Sequence, residues 1–349
     1  MSVNFINIAE TIARDILEGK YQDTIPSINT LSATFNVCPA TIKRVISQLR
    51  DWDLIAGEQG RCNRINPKAS GNLYFHKNVV ILAKLVVISN SFYIKVIQNL
   101  SKAIEEKFIC LHLFISEDQL KECGFEPDCI VVVGQKISKQ LNQYCPNNKI
   151  IKVNLPEHGY HGIATDNRKA GFEAIRSLAE DYGHQNIGMV ATQLKYDFGC
   201  FYLRYLGAMD YIKANPHINF SVVELDENLD NILNQQHIIE KFLVDNPNLT
   251  AIFASCDLYA AAIYNIAQKK QLRIPEDLSI LAFGEQSFTR LLNPPLSTFL
   301  ESSEDISKNL IRLVMEILID QNCPIQNTFI SPQKLLRSSL KKYTKVTKK

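Results

Sequence analysis

The sequence lacks the cysteine patterns that mark zinc modules and disulfide-bonded domains. It contains nine cysteines, an odd number, and no two of them form a C-x-x-C pair. Structural zinc sites need closely spaced ligand pairs, and disulfide frameworks are typically built from an even set. We therefore expect reduced thiols packed in the interior, as free cysteines usually are. The nine are Cys38, Cys62, Cys110, Cys123, Cys129, Cys145, Cys200, Cys256 and Cys323.

Long apolar runs and an excess of charge are also missing. No apolar run is long enough to cross a bilayer. The N-terminal stretch carries acids among its apolar residues and lacks the layout of a signal peptide. We therefore expect a cytoplasmic protein with no membrane partner. The formal net charge is only +2, so any affinity for nucleic acid has to come from local clusters of cations.

Signatures of catalysis and of cofactor binding are absent as well. The chain has no G-x-G-x-x-G, Walker, G-x-S-x-G or H-E-x-x-H motif. His158 and His161 stand three residues apart, but no further ligands accompany them, so we expect no metal site. The sequence thus predicts neither an enzyme nor a protein with a resident cofactor.

What the chain does contain is, first, a helical N-terminal segment. Apolar residues recur at helical spacing from Phe5 to Ile16, and Gly19 is a natural stop for that helix. A second short helix follows Ser27, and the stretch VCPATIKRVISQL predicts a third that starts at Pro39. Next, LIAGEQGRCNRINP holds two glycines between short extended runs, which predicts a β-hairpin.

The third helix has two possible roles. Its apolar residues share one face and its cations, Lys43 and Arg44, share the other, which is also the pattern of an ordinary amphipathic core helix. Three helices and a glycine-bearing hairpin nevertheless favour a winged helix-turn-helix, in which such a helix enters the major groove. Arg61, Arg64 and Lys68 would add cations on the hairpin side for contacts with phosphates.

Residues 5–66 resemble the DNA-binding domain of the GntR family of bacterial transcription factors. The resemblance is carried by IAETIARDILEGKY, IPSINTLSATFNV, PATIKRVISQLRDWDLI and the wing GRCNRI. It implies DNA contacts at the PS turn, at the start of the recognition helix and at the wing glycine. With the two wing arginines, the predicted DNA-binding residues are Ser27, Thr41, Lys43, Arg44, Gly60, Arg61 and Arg64.

The remainder of the chain has a different pattern. Continuous apolar runs such as VVILAKLVVI are typical of strands buried on both faces, and they alternate with helical segments. This alternation predicts a parallel α/β sheet. We expect a winged helix-turn-helix at 1–67, a polar linker at 68–78, an α/β domain at 79–340 and a basic tail at 341–349.

Most of residues 79–340 resemble the effector-binding domain of LacI/GalR-type regulators, which is built like a periplasmic sugar-binding protein. The resemblance implies two α/β lobes with parallel sheets and an effector between them. The order of the modules is similar to that of the arabinose-repressor group. The matching segments are Ser89–Tyr93, Asp166–Gly171 with Gly183–Ile187, Arg204–Gly207, Asp257–Ala260, Ile274–Ile280 and Pro294–Thr298.

The resemblance also implies an effector site. Aromatic surface would come from Phe92 and Tyr93, while Asp166 would accept hydrogen bonds and Arg204 would donate them. From the residues alone, the two aromatics could equally belong to the core, Asp166 could merely cap a helix, and Arg204 could lie on a helix surface. The six implied effector-binding residues are Phe92, Tyr93, Asp166, Arg204, Cys256 and Glu285.

These features predict a homodimeric transcriptional regulator that binds a double-stranded DNA operator. In the simplest form it is a repressor controlled by a sugar or sugar derivative. The alternative is a DNA-binding regulator whose pocket is degenerate and whose control comes from a protein partner. That alternative rests on Gly284, which stands where an aspartate is usual, and on the short segment after Ser116.

Overall fold

The computed structural model describes residues 5–57, 63–84, 90–195, 199–226, 234–320 and 322–344. Three helices open the chain, as the spacing predicts. They are α1 (Phe5–Leu17), α2 (Ile28–Phe35) and α3 (Pro39–Asp51). Ser27 caps α2 by accepting a hydrogen bond from the N–H of Thr30. Pro39 begins α3, where its missing N–H leaves no partner unpaired.

The three helices enclose a small apolar core. Ile12, Ile16, Ile42 and Leu49 are fully buried within it. Burying one such side chain contributes roughly 1.5–3 kcal/mol to the free energy of unfolding, so these four side chains are a main source of stability for the N-terminal segment, which we call the head. The cations of α3 lie on its exposed side, because the buried side is filled by the apolar residues at helical spacing.

A short antiparallel pair follows the helices. Strand β1 (Ile55–Ala56) pairs with β2 (Arg64–Ile65), and Thr24 forms a further antiparallel bridge to Arg64. The pair lies where the hairpin is predicted. The tip of the hairpin, which holds the predicted DNA contacts Gly60 and Arg61, lies outside the described residues.

The segment 68–78, predicted as a linker, folds into consecutive turns. Ala69 is fully buried and Phe75 nearly so, both in the core of the three helices. The predicted linker is therefore packed against the three helices. Its small and polar composition suggested flexibility, but two apolar side chains give it a surface to bury.

The first α/β lobe, called lobe 1, has a six-stranded sheet in the order β13-β7-β6-β5-β3-β4, parallel throughout. Its core lies between the sheet and the two helices α4 and α10. All five residues of β5 are buried, as expected of a strand covered on both faces. Its elements are β3 (Asn78–Ala83), α4 (Ser91–Glu105), β4 (Cys110–Phe114), α5 (Asp118–Glu122), β5 (Cys129–Val133), β6 (Ile150–Val153), β7 (His161–Thr165), α10 (Ser303–Ile319) and β13 (Asn327–Ile330).

The second lobe, called lobe 2, has a six-stranded sheet in the order β14-β12-β11-β10-β8-β9, with only β14 antiparallel. Its elements are α6 (Asn167–Arg176), β8 (Asn186–Thr192), α7 (Cys200–Ala214), β9 (Asn219–Leu225), α8 (Gln236–Asp245), β10 (Ala251–Ala254), α9 (Asp257–Lys269), β11 (Ser279–Gly284), β12 (Ser297–Leu300) and β14 (Gln333–Leu335).

The chain passes between the lobes three times. It crosses from β7 to α6, from β12 to α10, and from β13 to β14. Neighbouring crossings are tied together: Thr165 donates a hydrogen bond to Glu301, and Lys169 donates one to Ser331. Three linked crossings form a hinge, about which two lobes can open and close.

Candidate functional site

A cleft of about 380 Å³ lies between the lobes, next to the hinge. One wall is the first turn of α4 in lobe 1, and the other is the loop that follows β11 in lobe 2. Ligands of parallel α/β sheets bind at this position, beyond the carboxyl ends of the strands. The residues that line it include Asn90, Ser91, Phe92, Lys95, Gly284, Glu285, Gln286, Arg290, Leu300, Glu301 and Ser303.

The two aromatic residues predicted for the site start α4. Asn90 caps this helix by accepting the N–H of Phe92, which fixes the helix end against the cleft. Phe92 lines the cleft, and the rings of Phe92 and Tyr93 meet edge to face at 5.1 Å. Both rings also pack against the core of lobe 1, so the core interpretation and the site interpretation apply together.

A buried polar cluster that the sequence analysis missed adjoins these aromatics. Asn154 donates hydrogen bonds to the hydroxyl oxygen of Tyr93 at 2.9 Å and to Glu301 at 3.2 Å. Thr165 donates to the same Glu301 oxygen at 2.9 Å. Burial raises the pKa of the Glu301 carboxyl, and the positive charge of Arg204 opposes that rise. Glu301 is thus a carboxylate held in the cleft with neutral donors around it.

Arg204 lies behind the cleft in lobe 2 and is only 4% exposed. It donates from Nε to Asn167 at 2.9 Å and from Nη1 to the carbonyl oxygen of Ser255 at 2.6 Å. Its guanidinium stacks 3.6 Å from the ring centre of Phe283. The surface interpretation of Arg204 is therefore wrong, since the side chain joins α7 to β10 and β11 from the inside.

Two glycines allow α7 to pack closely enough against α6 to bury Arg204 in lobe 2. A Cβ on Gly207 would lie 1.8 Å from the carbonyl oxygen of Arg168, and one on Gly171 would lie 1.8 Å from that of Arg204. Helices α6 and α7 thus pack backbone to backbone, which any side chain at either position would prevent. The R-x-x-G pattern is the sequence signal of this contact.

Two buried polar atoms near the cleft have no hydrogen-bond partner in the described part of the chain. They are Oδ1 of Asn154 and Oγ of Ser255. Asn154 belongs to lobe 1 and Ser255 to lobe 2, each within one hydrogen bond of Glu301 or Arg204. An unsatisfied buried polar group costs about 1–3 kcal/mol, so each such atom calls for an explanation.

Cys256 and Glu285 were also predicted for the site, but their contacts are with other residues of lobe 2 itself. Cys256 precedes α9 and is partly exposed, and burial raises the pKa of its thiol to about 12, which keeps it protonated. Glu285 lines the cleft, but its carboxylate accepts hydrogen bonds from Arg337 at 2.7 Å and Arg290 at 2.9 Å. This carboxylate is already neutralised by two arginines, in contrast to that of Glu301.

The residue before Glu285 has to be a glycine because the carboxylate of Asp257 lies against it. Gly284 has φ +141°, and a Cβ there would lie 2.7 Å from a carboxylate oxygen of Asp257. Asp257 is buried and accepts the N–H of Gln286 and the hydroxyl of Thr298, and burial raises its pKa to about 6. Any side chain at position 284 would therefore displace an internal anchor of lobe 2.

Asp166 lies at the N-terminus of α6, where it accepts the N–H of Lys169 at 2.9 Å. Its backbone N–H donates to Ile330 across the hinge. The structure therefore gives Asp166 a capping position in the first crossing, and it is not among the residues that line the cleft. The capping alternative left open by the sequence accounts for these contacts.

The described DNA-binding candidates lie at the start of α2, on α3 and on β2, and all of them except Thr41 are exposed. Ser27 begins α2, Lys43 and Arg44 project from α3, and Arg64 lies on β2. Thr41 is half-buried, and its hydroxyl meets the Cys38 thiol at 3.3 Å. The guanidinium of Arg44 lies 4.1 Å from the ring centre of Phe5, which holds it against the helix.

Neither a metal site nor a membrane span is found in the described residues. No group of three or more metal-ligating side chains comes together there. His161 is buried with both ring nitrogens engaged, one by the carbonyl oxygen of Asn148 and one by the N–H of Gln326. No helix in the described ranges is long and apolar enough to cross a bilayer.

Comparison with known proteins agrees with the observed lobes. Residues 175–340 match the family model described as a periplasmic binding protein-like domain. The ribose operon repressor of Haemophilus influenzae is 28% identical over 182 residues, which cover 51% of this chain and 52% of that protein. The transcriptional repressor PurR of Pasteurella multocida is 25% identical over 200 residues, covering 56% and 55%. The chain thus spans about half the length of the curated relatives it matches.

A solved structure gives the same fold. A LacI-family transcriptional regulator from Enterococcus faecium, crystallised with bound ribose, superposes with a TM-score of 0.64 at 16% identity. The match covers 77% of this chain and all of that one. The chain therefore carries a periplasmic-binding-protein-like α/β domain with parallel sheets, as predicted. The two curated relatives named above are transcriptional repressors. The GntR resemblance of the N-terminal segment is not supported by these matches.

Proposed function

We propose that the protein is a DNA-binding transcriptional repressor whose operator affinity is controlled by a sugar or sugar derivative bound between the lobes. The observation that carries the proposal is a set of polar atoms without partners in the described residues, on or next to Glu301 and Arg204, of which Glu301 lines the cleft. Asn154 and Ser255 offer buried acceptors, and both described hydrogen bonds to Glu301 end on one oxygen, leaving the other for a ligand. Hydroxyl groups can donate to all three positions.

The aromatic wall supports the same class of ligand. Phe92 and Tyr93 present apolar ring surface beside the polar cluster. A sugar has apolar C–H faces and a rim of hydroxyls, so such a wall and such a cluster are complementary to it. The ribose bound in the Enterococcus faecium regulator is the reason to begin with a pentose.

For the N-terminal segment we propose a winged helix-turn-helix of the GntR type. The antiparallel pair of β1 and β2, with its bridge to Thr24, supports a wing. A helix-turn-helix of the LacI type is the alternative that the curated relatives favour. Under our proposal the DNA face is formed by Ser27, Thr41, Lys43, Arg44 and Arg64, with Gly60 and Arg61 at the wing tip. The proposed domain bounds are 1–67 for this head and 79–340 for the sensor.

We also propose that the sensor forms a homodimer, so that two heads meet two operator half-sites. Strand β4 is an edge of its sheet and exposes Leu113, which is 47% accessible. In lobe 2, Leu291 is 84% accessible beside an open groove along α9. Exposed edges and large exposed apolar side chains are features that association would cover.

A thermal-shift screen tests the effector class. A ligand at a hundred times its dissociation constant stabilises the folded state by about 2.7 kcal/mol, which raises the melting temperature of a domain this size by several degrees. The panel starts with D-ribose and extends to other pentoses, hexoses, disaccharides and their phosphates. L-ribose is the matched control, because it has the same groups in a mirrored arrangement. A panel in which nothing shifts the melting temperature would contradict a sugar effector.

The degenerate-pocket alternative has one observation in its favour. The wall formed by Gly284 and Glu285 is occupied by internal contacts with Asp257, Arg290 and Arg337. If the wall serves only stability, no small molecule will shift the melting temperature, and the variant Glu301→Gln will behave like the parent in every regulatory assay.

A further inference from the structure

Two adjacent aromatic residues after the head contact different cores. Phe75 is buried in the core of α1–α3, whereas Tyr74 packs against the core of lobe 1. Only one peptide bond separates them, and a peptide bond is planar and stiff. Anchoring neighbouring side chains in two bodies therefore restricts how those bodies move relative to each other.

Backbone contacts fix the same segment on both sides. On the head, the N–H of Gly71 donates to the carbonyl oxygen of Ile16 in the last turn of α1. On lobe 1, the side chain of Asn72 donates to the carbonyl oxygen of Lys107 at 3.0 Å. The segment thus makes hydrogen bonds in both directions within a few residues.

The contact point on lobe 1 is the turn directly after α4. The N–H of His76 donates to the carbonyl oxygen of Phe108 at 3.0 Å. The ring of Phe108 lies 6.3 Å from that of Phe75, with the ammonium of Lys68 at 5.2 Å from its centre. Phe108 is 41% exposed and belongs to neither core. Its ring faces Phe75, which is itself buried in the core of the head.

Helix α4 extends from this contact to the cleft. It begins at Ser91, beside Phe92 in the cleft wall, and ends at Glu105, three residues before Phe108. Fifteen helical residues span about 22 Å, and a packed helix moves as one body. A displacement at its first turn is therefore delivered to its last.

We infer that Ala69–His76 is a coupling segment, which clamps the head to the C-terminal end of α4 and so links head orientation to the cleft. Its role in signalling rests on the proposed function. The claim that the segment clamps the head to lobe 1 does not depend on that function, since it concerns only whether the two bodies move together. In this mechanism an effector that presses on Phe92 shifts α4, and Phe108 then moves the head through Phe75.

The single tryptophan of the chain makes the clamp measurable without ligand or DNA. Trp52 ends α3 in the head, so its fluorescence reports on the head alone. In the full-length parent protein we expect its anisotropy to decay with the slow tumbling of the whole molecule. In the double variant Asn72→Ala/Phe108→Ala we expect a fast component, with the time constant of a domain of about 70 residues.

The matched control is Phe329→Ala, which removes another exposed phenylalanine, 58% accessible, from β13 of lobe 1. It should leave the slow decay unchanged. Circular dichroism on the same samples separates the clamp from unfolding, because the double variant should keep the helical signal of the parent. A fast component in the parent, or a purely slow decay in the folded double variant, would overturn the inference.

The signalling consequence has its own measurement. With any sugar that shifts the melting temperature, the parent and the double variant should bind it with equal affinity. The effect of that sugar on DNA affinity should fall at least fivefold in the double variant and stay unchanged in Phe329→Ala. An unchanged effect would remove the segment from the signalling route while leaving the sugar site intact. A missing sugar response in the parent would contradict the proposed function and leave the anisotropy result standing.

Discussion

The two arginines assigned to binding, Arg44 and Arg204, have opposite surroundings. Arg44 lies on the exposed face of α3, supported by the ring of Phe5. Arg204 is buried, stacked on Phe283 and committed to acceptors on two other elements. Water screens the charge of the first and leaves it available to a phosphate. The second is desolvated, and most of its hydrogen-bonding capacity already stabilises lobe 2.

The carboxylates of the cleft repeat this contrast over a shorter distance. Glu285 is neutralised by Arg290 and Arg337, whereas Glu301 has only neutral donors within hydrogen-bonding distance. The same chemical group is thus hydrogen-bonded to two cations in one place and only to neutral donors in the other. Residue type and position in a motif do not separate these roles, but the surrounding donors do.

The largest effect we expect comes from removing the buried arginine. Arg204→Ala leaves the carbonyl oxygen of Ser255 and the amide oxygen of Asn167 without a donor in the interior, at about 3–5 kcal/mol of unfolding free energy. Arg44→Ala, the exposed counterpart, should cost less than about 1 kcal/mol. Urea unfolding followed by circular dichroism measures both. Equal losses of unfolding free energy in the two variants would contradict the difference in burial between the two arginines.

The next effect concerns the unpaired carboxylate. Glu301→Gln keeps an oxygen for Asn154 and Thr165 but removes the charge, and we expect about tenfold weaker sugar binding by calorimetry. The same substitution should make the folded protein more stable near neutral pH. Because the folded-state pKa is raised above the ordinary 4.5, ionisation of Glu301 destabilises the folded state. The parent should therefore lose stability relative to Glu301→Gln as the pH rises from about 4.5 through the raised pKa.

Unfolding midpoints measured across that range check the sign. Above the raised pKa the Gln variant should be the more stable protein, and below pH 4.5 the two should be alike. A difference that is independent of pH would mean that the carboxyl has the same pKa in the folded and unfolded chains.

The smallest expected effect on stability comes from Lys43→Ala on the exposed face of α3. Lys43 makes no ion pair within the described ranges, so its removal should leave the unfolding free energy within about 0.5 kcal/mol. Affinity for a random-sequence DNA duplex should fall severalfold, and the dependence of log affinity on log salt should flatten by about one. Lys213→Ala, an exposed lysine on α7, is the control. Identical behaviour of the two variants would remove α3 from the DNA interface.

The sequence predicted elements well where periodicity or apolar runs define them. The three helices of the head, the hairpin position and the alternation of strands and helices all depend on local pattern, and they are observed. The packing of the predicted linker 68–78 was not foreseen, because its composition is mostly polar and the significance of Tyr74 and Phe75 was missed. Their burial depends on surfaces that are distant in sequence.

The cleft was predicted less well, for a physical reason. Asn154 follows β6 and Glu301 follows β12, and neither belongs to a recognisable sequence motif. They meet only because the end of β6 lies beside the second crossing of the hinge. Arg204 and Asp166 fall in motifs, but a motif does not tell whether the side chain turns toward a ligand or toward its own fold. Counting the donors around each charged group required the structure.

The triple crossing of the hinge also has a consequence for synthesis on the ribosome. Every residue of the head core has been translated by Phe75, but lobe 1 still lacks α10 and β13, which end at Ile330. At the usual speeds of protein synthesis the intervening stretch takes on the order of tens of seconds. During that time a completed N-terminal segment is joined to an incomplete lobe 1. Under the proposed function, the segment would be able to bind DNA before an effector site exists.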